Sequence, residues 1–516
     1  MILSVTRWIE KMTIVPPALL VGLVLTGCAM VGPDYTGVEA DAPRRWHSEL
    51  AGGLRADELS PEALAHWWTT LNDAELNSLV ARAVTSNLDL KNAHARVREA
   101  RALRGISRAA FFPSLDGSAS AIKSRSSENA GTGNENDLYK AGFDAGWELD
   151  IFGGVRRSVE AAQADLETSR EDLHDVLVSL LAEVALNYVE VRTYQTRLIQ
   201  TKANIKSQQE TYELNQSRFD AGIIDKLAVQ QSLYNLERTR SHISTLQIGL
   251  EAAKNRLAVL LGRKPGSLAG ELAEKKPIPV PPLTVAIGVP AETLRHRPDL
   301  RRAERNLAAQ TARIGVATAD LYPKFHLLGT IGLESLSSGD FVDWASRAWS
   351  VGPGVSWNIF HGGAIRQNIE VQSARQEQAL INYEQAVLRA QEEVENALVA
   401  YATEQRRMES LRAGTVAAKS AAQLADAKFQ AGLVDFNNVL DAQRAQLDFE
   451  DELAQSKGAV TSNLVRLYKA LGGGWESKAV SRRHGVSSDG LMDVRDQTRP
   501  QKSPLHWVNH NETAQD

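Results

Sequence analysis

From Val155 to Ala221 the chain contains neither glycine nor proline, and its apolar positions recur at helical spacing: Leu173, Val176, Leu177, Leu180, Leu181, Val184, Tyr188 and Val191. Ala364 to Ala431 repeats the pattern with only Gly414 inside. There Tyr383, Val387, Ala390, Val394, Ala397 and Tyr401 alternate steps of four and three, the spacing of a coiled-coil seam. A helix of this length reaches roughly 100 Å at 1.5 Å per residue, far beyond the average of about 11 residues. Ala-Gly ends each run at Gly222 and Gly432, and the chain returns through Ile223 to Leu261 and Leu433 to Leu471. The pattern predicts two helical hairpins with a glycine C-cap at each tip and Asp225 and Asp435 capping the return helices. Shorter helices, Leu76 to Ala110 and Glu292 to Asp320, precede each hairpin and are expected to stack end to end on the returns.

Between Phe112 and Gly154 the period changes to two. Phe143, Ala145, Trp147, Leu149 and Ile151 alternate with Asp144, Gly146, Glu148 and Asp150. The same alternation places Phe325, Leu327, Ile331 and Leu333, then Trp349, Val351, Val355, Trp357 and Ile359, on one greasy face. Strands of about 9–11 residues with one apolar and one polar face suit an outer-membrane barrel, and Lys123 to Asp137 is a polar loop suited to the cell exterior. A soluble β-sandwich would show a similar alternation. Four strands cannot close a membrane barrel, whose smallest form has about eight, so a barrel requires oligomerisation, and three copies supply about twelve strands.

The two halves are copies of each other. A single offset of 210 residues, the difference between Asp89 and Asp299, also pairs Pro113 with Pro323, Trp147 with Trp357, Phe219 with Phe429, Ala221-Gly222 with Ala431-Gly432, Asp225 with Asp435, and Leu261-Gly262 with Leu471-Gly472. Solenoid repeats run about 20–50 residues, so this is a tandem duplication of one large unit. The expected organisation is a leader over 1–27, an N-terminal segment with equatorial contacts over 28–72, a first repeat over 73–263, a proline-rich linker over 264–290, a second repeat over 291–474 and a polar tail over 475–516. Each repeat reads as helix, two barrel strands, long helix and return helix. The linker is expected to be extended rather than helix or core strand, and the tail disordered. The fold class is mostly α with a membrane β-barrel: long duplicated hairpins forming a trimeric helical tunnel, and four strands per chain.

The first residues change the compartment. Arg7 and Lys11 precede the apolar run Ile14 to Leu25, which reads as a secretory signal peptide, and the run ends in Leu25-Thr26-Gly27-Cys28. That tetrad resembles a bacterial lipobox, which makes Cys28 the lipidation site, carrying a covalent lipid; no other cofactor is expected. A buried free cysteine after an uncleaved helix is the plainer alternative. By resemblance to bacterial lipoproteins, Ala29 in place of an acidic residue directs the chain to the outer membrane. Cys28 is also the single cysteine, which excludes an internal disulfide framework and thiolate metal clusters.

Composition removes several other functions. Lys+Arg 58 against Asp+Glu 63 gives a net charge of −5, with basic clusters such as Arg406-Arg407 short and diluted by acids, so no nucleic-acid partner is expected. The 11 histidines lack metal spacing, the 5 methionines form no track for soft metals, and Gly472-Gly473-Gly474 lacks the Lys-Ser/Thr of a phosphate loop. The chain is read as no enzyme, without a metal site.

The chain from Cys28 to about Trp475 resembles the TolC-type outer-membrane efflux proteins, in their lipidated OprM/NodT-like branch. Carrying the resemblance are Val31-Gly32-Pro33-Asp34-Tyr35, Trp147 to Gly153, Arg297-Pro298-Asp299-Leu300-Arg301, Tyr322-Pro323, Val439 to Arg444 and Leu467 to Trp475, in this order and spacing. The resemblance implies a homotrimer with a twelve-stranded barrel in the outer membrane, a periplasmic helical tunnel and an equatorial belt. It also implies a periplasmic membrane-fusion adaptor and an inner-membrane transporter, usually of the resistance-nodulation-division class. The implied function is the exit duct of a tripartite efflux pump for small molecules such as drugs. A type I secretion or metal-efflux duct is the alternative within the channel class, and a trimeric coiled-coil structural or adhesion lipoprotein the alternative outside it.

Residue roles follow from the same resemblance. Asp441 matches a family aspartate at the periplasmic constriction; three carboxylates on a threefold axis repel each other and attract cations. Asn438 stands where some relatives carry a second aspartate, so the gate is weaker in charge. Arg444 offers Asp441 a plain i, i+3 ion pair on the helix surface, worth about 0.2–0.5 kcal/mol. The tips Arg218, Phe219, Ala221, Gly222, Ile223 and Lys428, Phe429, Ala431, Gly432, Leu433 resemble segments that receive the adaptor's hairpins, with a plain helix C-cap as the alternative.

Overall fold

The computed structural model describes residues 30–38, 43–57 and 60–476. The leader, Cys28 and most of the tail lie outside the described residues. After a short helical segment, Pro61–Ala65 and Trp67–Leu71, the first repeat runs α1 (Ala74–Ser86), α2 (Leu88–Ala109), β1 (Ser114–Arg125), β2 (Glu135–Leu149), α3 (Gly154–Asp220) and α4 (Lys226–Leu260). The second runs α5 (Pro290–His296), α6 (Pro298–Ala319), β3 (Lys324–Ser335), β4 (Arg347–Ser356), α7 (Ala364–Gln430) and α8 (Phe436–Ala470). The 210-residue offset holds element by element, and both long helices have 67 residues and both returns 35.

The helices before the strands are each broken in two, where one continuous helix was expected. Asn87 interrupts the first: its side chain accepts from Leu90 N and so starts a new helix, while its Nδ2 donates to Leu260 O at 2.9 Å. Pro298 interrupts the second, because it has no N–H to continue α5 and disfavours helical backbone at Arg297. Arg297 Nη1 donates to Ala470 O at 2.6 Å. Leu260 and Ala470 are one repeat apart, so two different side chains close the same helix end where the short helices stack on the returns.

The proline-rich linker also departs from a purely extended connector. Leu268, Leu272, Val285 and Ile287 are buried, and Val285–Ala286 pairs in parallel with Leu54–Arg55. Proline excludes helix but leaves intervening apolar residues free to join a core. The largest core lies here, where Trp67 stacks on Tyr468 at 5.4 Å and packs with Leu76, Leu181, Val184 and Leu464. Each such burial contributes about 1.5–3 kcal/mol.

Above this belt the helices form a row, α2 against α3, α3 against α6, and α6 against α7; below it the row is α4, α3, α8, α7. The four long strands form one antiparallel sheet in the order β1-β2-β3-β4. Register runs from Ser114↔Gly146 through Trp147↔Leu327 to Phe325↔Val355. Phe143, Ile331, Trp349, Val351 and Val355 stand exposed on it. No helix among the described residues is long and apolar enough to cross a membrane.

Candidate functional site: the hairpin tips and the constriction residues

Each long helix ends in the same way. Gly222 N donates to Phe219 O and Ile223 N to Arg218 O; Gly432 N donates to Phe429 O and Leu433 N to Lys428 O. This is the Schellman arrangement, and it needs φ of +71° at Gly222 and +73° at Gly432. The turn consumes residues 223–225 and 433–435, so the return helices begin at Lys226 and Phe436 rather than at Ile223 and Leu433. Asp225 caps its helix through Ala228 N at 3.2 Å. Asp435 makes no side-chain cap, contrary to expectation; Phe436 beside it turns inward against Phe429, with ring centroids 5.2 Å apart.

The two tips differ in exposure. Ala221, Gly222, Ile223, Lys428, Ala431, Gly432 and Leu433 are exposed, as is Phe219 at the margin. Phe429 is instead buried, in a cluster with Phe436, Val439, Leu440 and Ala228. Arg218 is drawn across to the second tip: its Nη2 donates to Gln430 O at 3.1 Å and its guanidinium stands 5.3 Å from the Phe429 ring. Arg218 and Phe429 therefore tie one hairpin to the other, while the remaining tip residues face outward.

On α8, Asn438 and Asp441 are exposed, with Asp448 and Glu452 continuing the same face downstream. Asp441 keeps 80% of its side chain exposed and meets Arg444 only at 3.8 Å. Arg444 is committed elsewhere: its Nη2 donates to Tyr234 Oη at 2.9 Å, and its guanidinium lies 5.6 Å from the Tyr234 ring. Tyr234 occupies in the first repeat the position of Arg444 in the second. A neighbouring link, Gln231 Nε2 to Asn437 Oδ1 at 2.9 Å, also joins α4 to α8. The Asp441 carboxylate is thus free to face away from its own chain, and its helix is tethered to the other hairpin.

At the opposite end, residues 31–34 are strapped to the start of α3. Val31 N donates to Phe152 O at 3.1 Å, and Arg157, 1% exposed, donates to Val31 O, Gly32 O, Asp34 and Glu160. At the rim of the sheet Trp147 Nε1 donates to Phe111 O and Trp357 Nε1 to Leu321 O, both at 3.0 Å, a duplicated anchor between strand and helix. Amphipathic indoles at the base of an apolar sheet suit a membrane interface.

The model of the family described as outer membrane efflux protein matches residues 79–263 and 289–473, the two repeats. The chain belongs to this family. It is 31% identical to nodulation protein T of Rhizobium leguminosarum bv. trifolii over 89% of this chain and 97% of that protein. It is 32% identical to outer membrane protein OprJ of Pseudomonas aeruginosa, over 89% of this chain and 95% of that one. The solved structure of the outer-membrane channel OprN superposes with a TM-score of 0.82 at 36% identity, covering 87% of this chain and all of that one. The protein is an outer-membrane efflux channel whose helical part is periplasmic.

In this efflux channel Asn438, Asp441 and Arg444 lie within two turns of α8, and the two tips lie together through Arg218. Sequence reasoning missed Tyr234, Gln231 and Asn437. Nothing local distinguishes a tyrosine on an exposed helix face; the one available signal was that Tyr234 and Arg444 are separated by the repeat offset.

Proposed function

We propose that three copies of this chain form the exit duct of a tripartite efflux pump, receiving small molecules such as drugs from a periplasmic membrane-fusion adaptor and an inner-membrane transporter of the resistance-nodulation-division class. The observation that carries this reading is the pair of open edges. β1 and β4 each leave one side of the four-stranded sheet unpaired, and backbone groups without partners cannot remain in a bilayer. Three copies joined edge to edge give a barrel of about twelve strands, which satisfies every edge. Cys28, by its lipobox, carries acyl chains that hold the chain to the membrane. The exposed tips Ala221 to Ile223 and Ala431 to Leu433 receive the adaptor, and Asp441 from three chains forms the cation-attracting constriction.

Deleting the gene from its host is expected to raise intracellular accumulation of a fluorescent efflux probe, and a plasmid copy to restore its export. Replacement of residues 219–223 by a neutral linker should fail to restore it while trimers still form. Full export by that variant would remove the tips from the pump contact, and unchanged accumulation in the deletion strain for drugs, dyes and solvents alike would overturn the small-molecule reading.

A further inference from the structure

The two repeats finish the apolar face of the sheet differently at the end remote from the helices. In the first, Lys123 stands opposite Asp137 in the ladder and its Nζ pairs with Glu135 at 3.3 Å, so the hairpin balances its own charge. Adding 210 to Lys123 and Asp137 gives Leu333 and Arg347, which stand opposite each other in β3 and β4. Where the first copy has an anion facing a cation, the second has a cation facing leucine.

Arg347 is exposed. Of the described cations at this end of the sheet, Lys123, Arg125 and Lys140 each have a carboxylate partner; Arg347 has none among the described residues. Its Nε donates to Trp344 O at 2.8 Å and its guanidinium lies over the Trp344 ring, which is 78% exposed. The guanidinium is thereby fixed on one side, while neither Nη has a partner among the described residues.

Beside Arg347 the ladder runs through Leu333 and Ala141 to Ala119, and the next row of the same face runs Trp349, Ile331, Phe143, Gly117. Small residues at 117, 119 and 141 against the bulk of Phe143 and Ile331 leave a shallow groove of about 660 Å³, with Arg347 at its margin. That volume is in the range of ligand clefts. The hairpin loop has diverged in the same sense. Leu336, Val342 and Trp344 are exposed where the offset gives Ser126, Thr132 and Asn134. Phe341 of this loop lies against Tyr139, with ring centroids 6.4 Å apart. Tyr139 is two residues from Ala141 and so on the face that carries the groove.

We propose that this groove and Arg347 bind the phosphorylated glycolipid of the outer leaflet, lipopolysaccharide: one acyl chain lies between Phe143 and Leu333, and a lipid A phosphate accepts from both Nη groups of Arg347. Trp344 stands at headgroup level, where amphipathic indoles are favoured. The inference rests on the barrel reading above, which turns this face to the lipid. A groove lined by apolar side chains and closed by one guanidinium asks for a ligand that is hydrocarbon and anion at once, which free phosphate is not. Guanidinium suits phosphate because its planar fork donates two parallel hydrogen bonds. Arg347 also lies away from the periplasmic helices, in the leaflet whose anionic lipid is lipopolysaccharide. Phosphatidylethanolamine carries its own ammonium beside each phosphate and has less need of the arginine.

The test is native mass spectrometry of the full-length trimer, released from detergent after incubation with diphosphoryl lipid A, phosphatidylglycerol or phosphatidylethanolamine. The wild type is expected to retain lipid A several-fold better than either phospholipid. Arg347→Gln should lose most of that preference and Arg347→Lys recover part of it. Arg125→Gln, whose cation is already paired with Glu128, should bind as the wild type does. Ala141→Phe, which fills the groove and leaves the guanidinium in place, should also lower retention several-fold, and excess inorganic phosphate should displace little lipid A. Lipid A retention unchanged in Arg347→Gln and Ala141→Phe, or equal retention of phosphatidylglycerol, would overturn the site and leave the channel standing. Displacement by inorganic phosphate would overturn it as well, by reducing it to a simple anion contact. Absence of trimers from the wild type would overturn the barrel reading together with the site.

Discussion

Arg218 donates from its guanidinium to the main-chain carbonyl of Gln430 at 3.1 Å, so a side chain of the first hairpin closes the end of the second hairpin's long helix. A cation at a helix C-terminus satisfies carbonyls that have no partner inside the helix and meets the negative end of its dipole. The same side chain covers Phe429, which is how the second tip becomes more buried than the first although their sequences correspond. Arg218→Ala is expected to cost about 0.5–1.5 kcal/mol of local stability, seen as several-fold faster amide exchange over 428–434 with no change over 218–224. Arg218→Lys should restore only part of it, because an ammonium cannot both stack on the ring and span two carbonyls. Equal exchange at both tips in the Ala variant would remove the clamp.

The strap over residues 31–34 depends on a close backbone approach. Gly32 has φ of +85°, and a Cβ there would stand 2.4 Å from the Gly315 Cα. Gly32→Ala is therefore opposed twice, by backbone conformation and by contact with another main chain, at about 1–3 kcal/mol. Limited proteolysis should cut the N-terminal segment of the variant well before the wild type, with the helical hairpins intact in both. Identical cleavage kinetics would show that the strap is not held at this point.

Asp175 gives a pH dependence of defined sign. Burial raises its pKa above 3.8; Arg302 at 3.3 Å opposes the shift, and Asp299 and Asp172 add to it. A carboxyl whose folded value exceeds its unfolded value binds its proton more tightly in the folded state. Its contribution is thus greatest at low pH and declines as pH rises through the window opening at 3.8. Asp175→Asn is expected to raise the unfolding temperature at pH 7 and to flatten its fall across that window. Arg302 keeps Asp172 at 2.7 Å in the variant. A lower unfolding temperature at pH 7 would mean that the pairing with Arg302 outweighs the burial.

How far the sequence could be read depended on whether a feature repeats. Long helices, strand alternation and the offset recur over many residues, and two copies of each element reinforced one another; Trp147 and Trp357 even make the same hydrogen bond. What escaped were contacts in which the copies have diverged. Asn87 and Arg297 close equivalent helix ends by different chemistry; Pro298 is a breaker that the sequence displays, whereas Asn87 breaks its helix through a contact with Leu260 that no local signal announces. Asp435 matches Asp225 in sequence but leaves its helix uncapped, because Phe436 beside it is committed to the core around Phe429. Arg444 read as a partner for Asp441 three residues away, whereas its closer partner, Tyr234, lies in the other repeat, where no local periodicity points.

If Asp441 from three chains lines the constriction of a gated channel, planar-bilayer conductance of the purified protein must differ between the wild type and Asp441→Ala. A small, cation-selective conductance is expected in the wild type, rising in the variant as its selectivity falls. Equal conductance and selectivity from both proteins would discard Asp441 as the constriction, and silence from both in bilayers shown to contain trimers would contradict the channel itself.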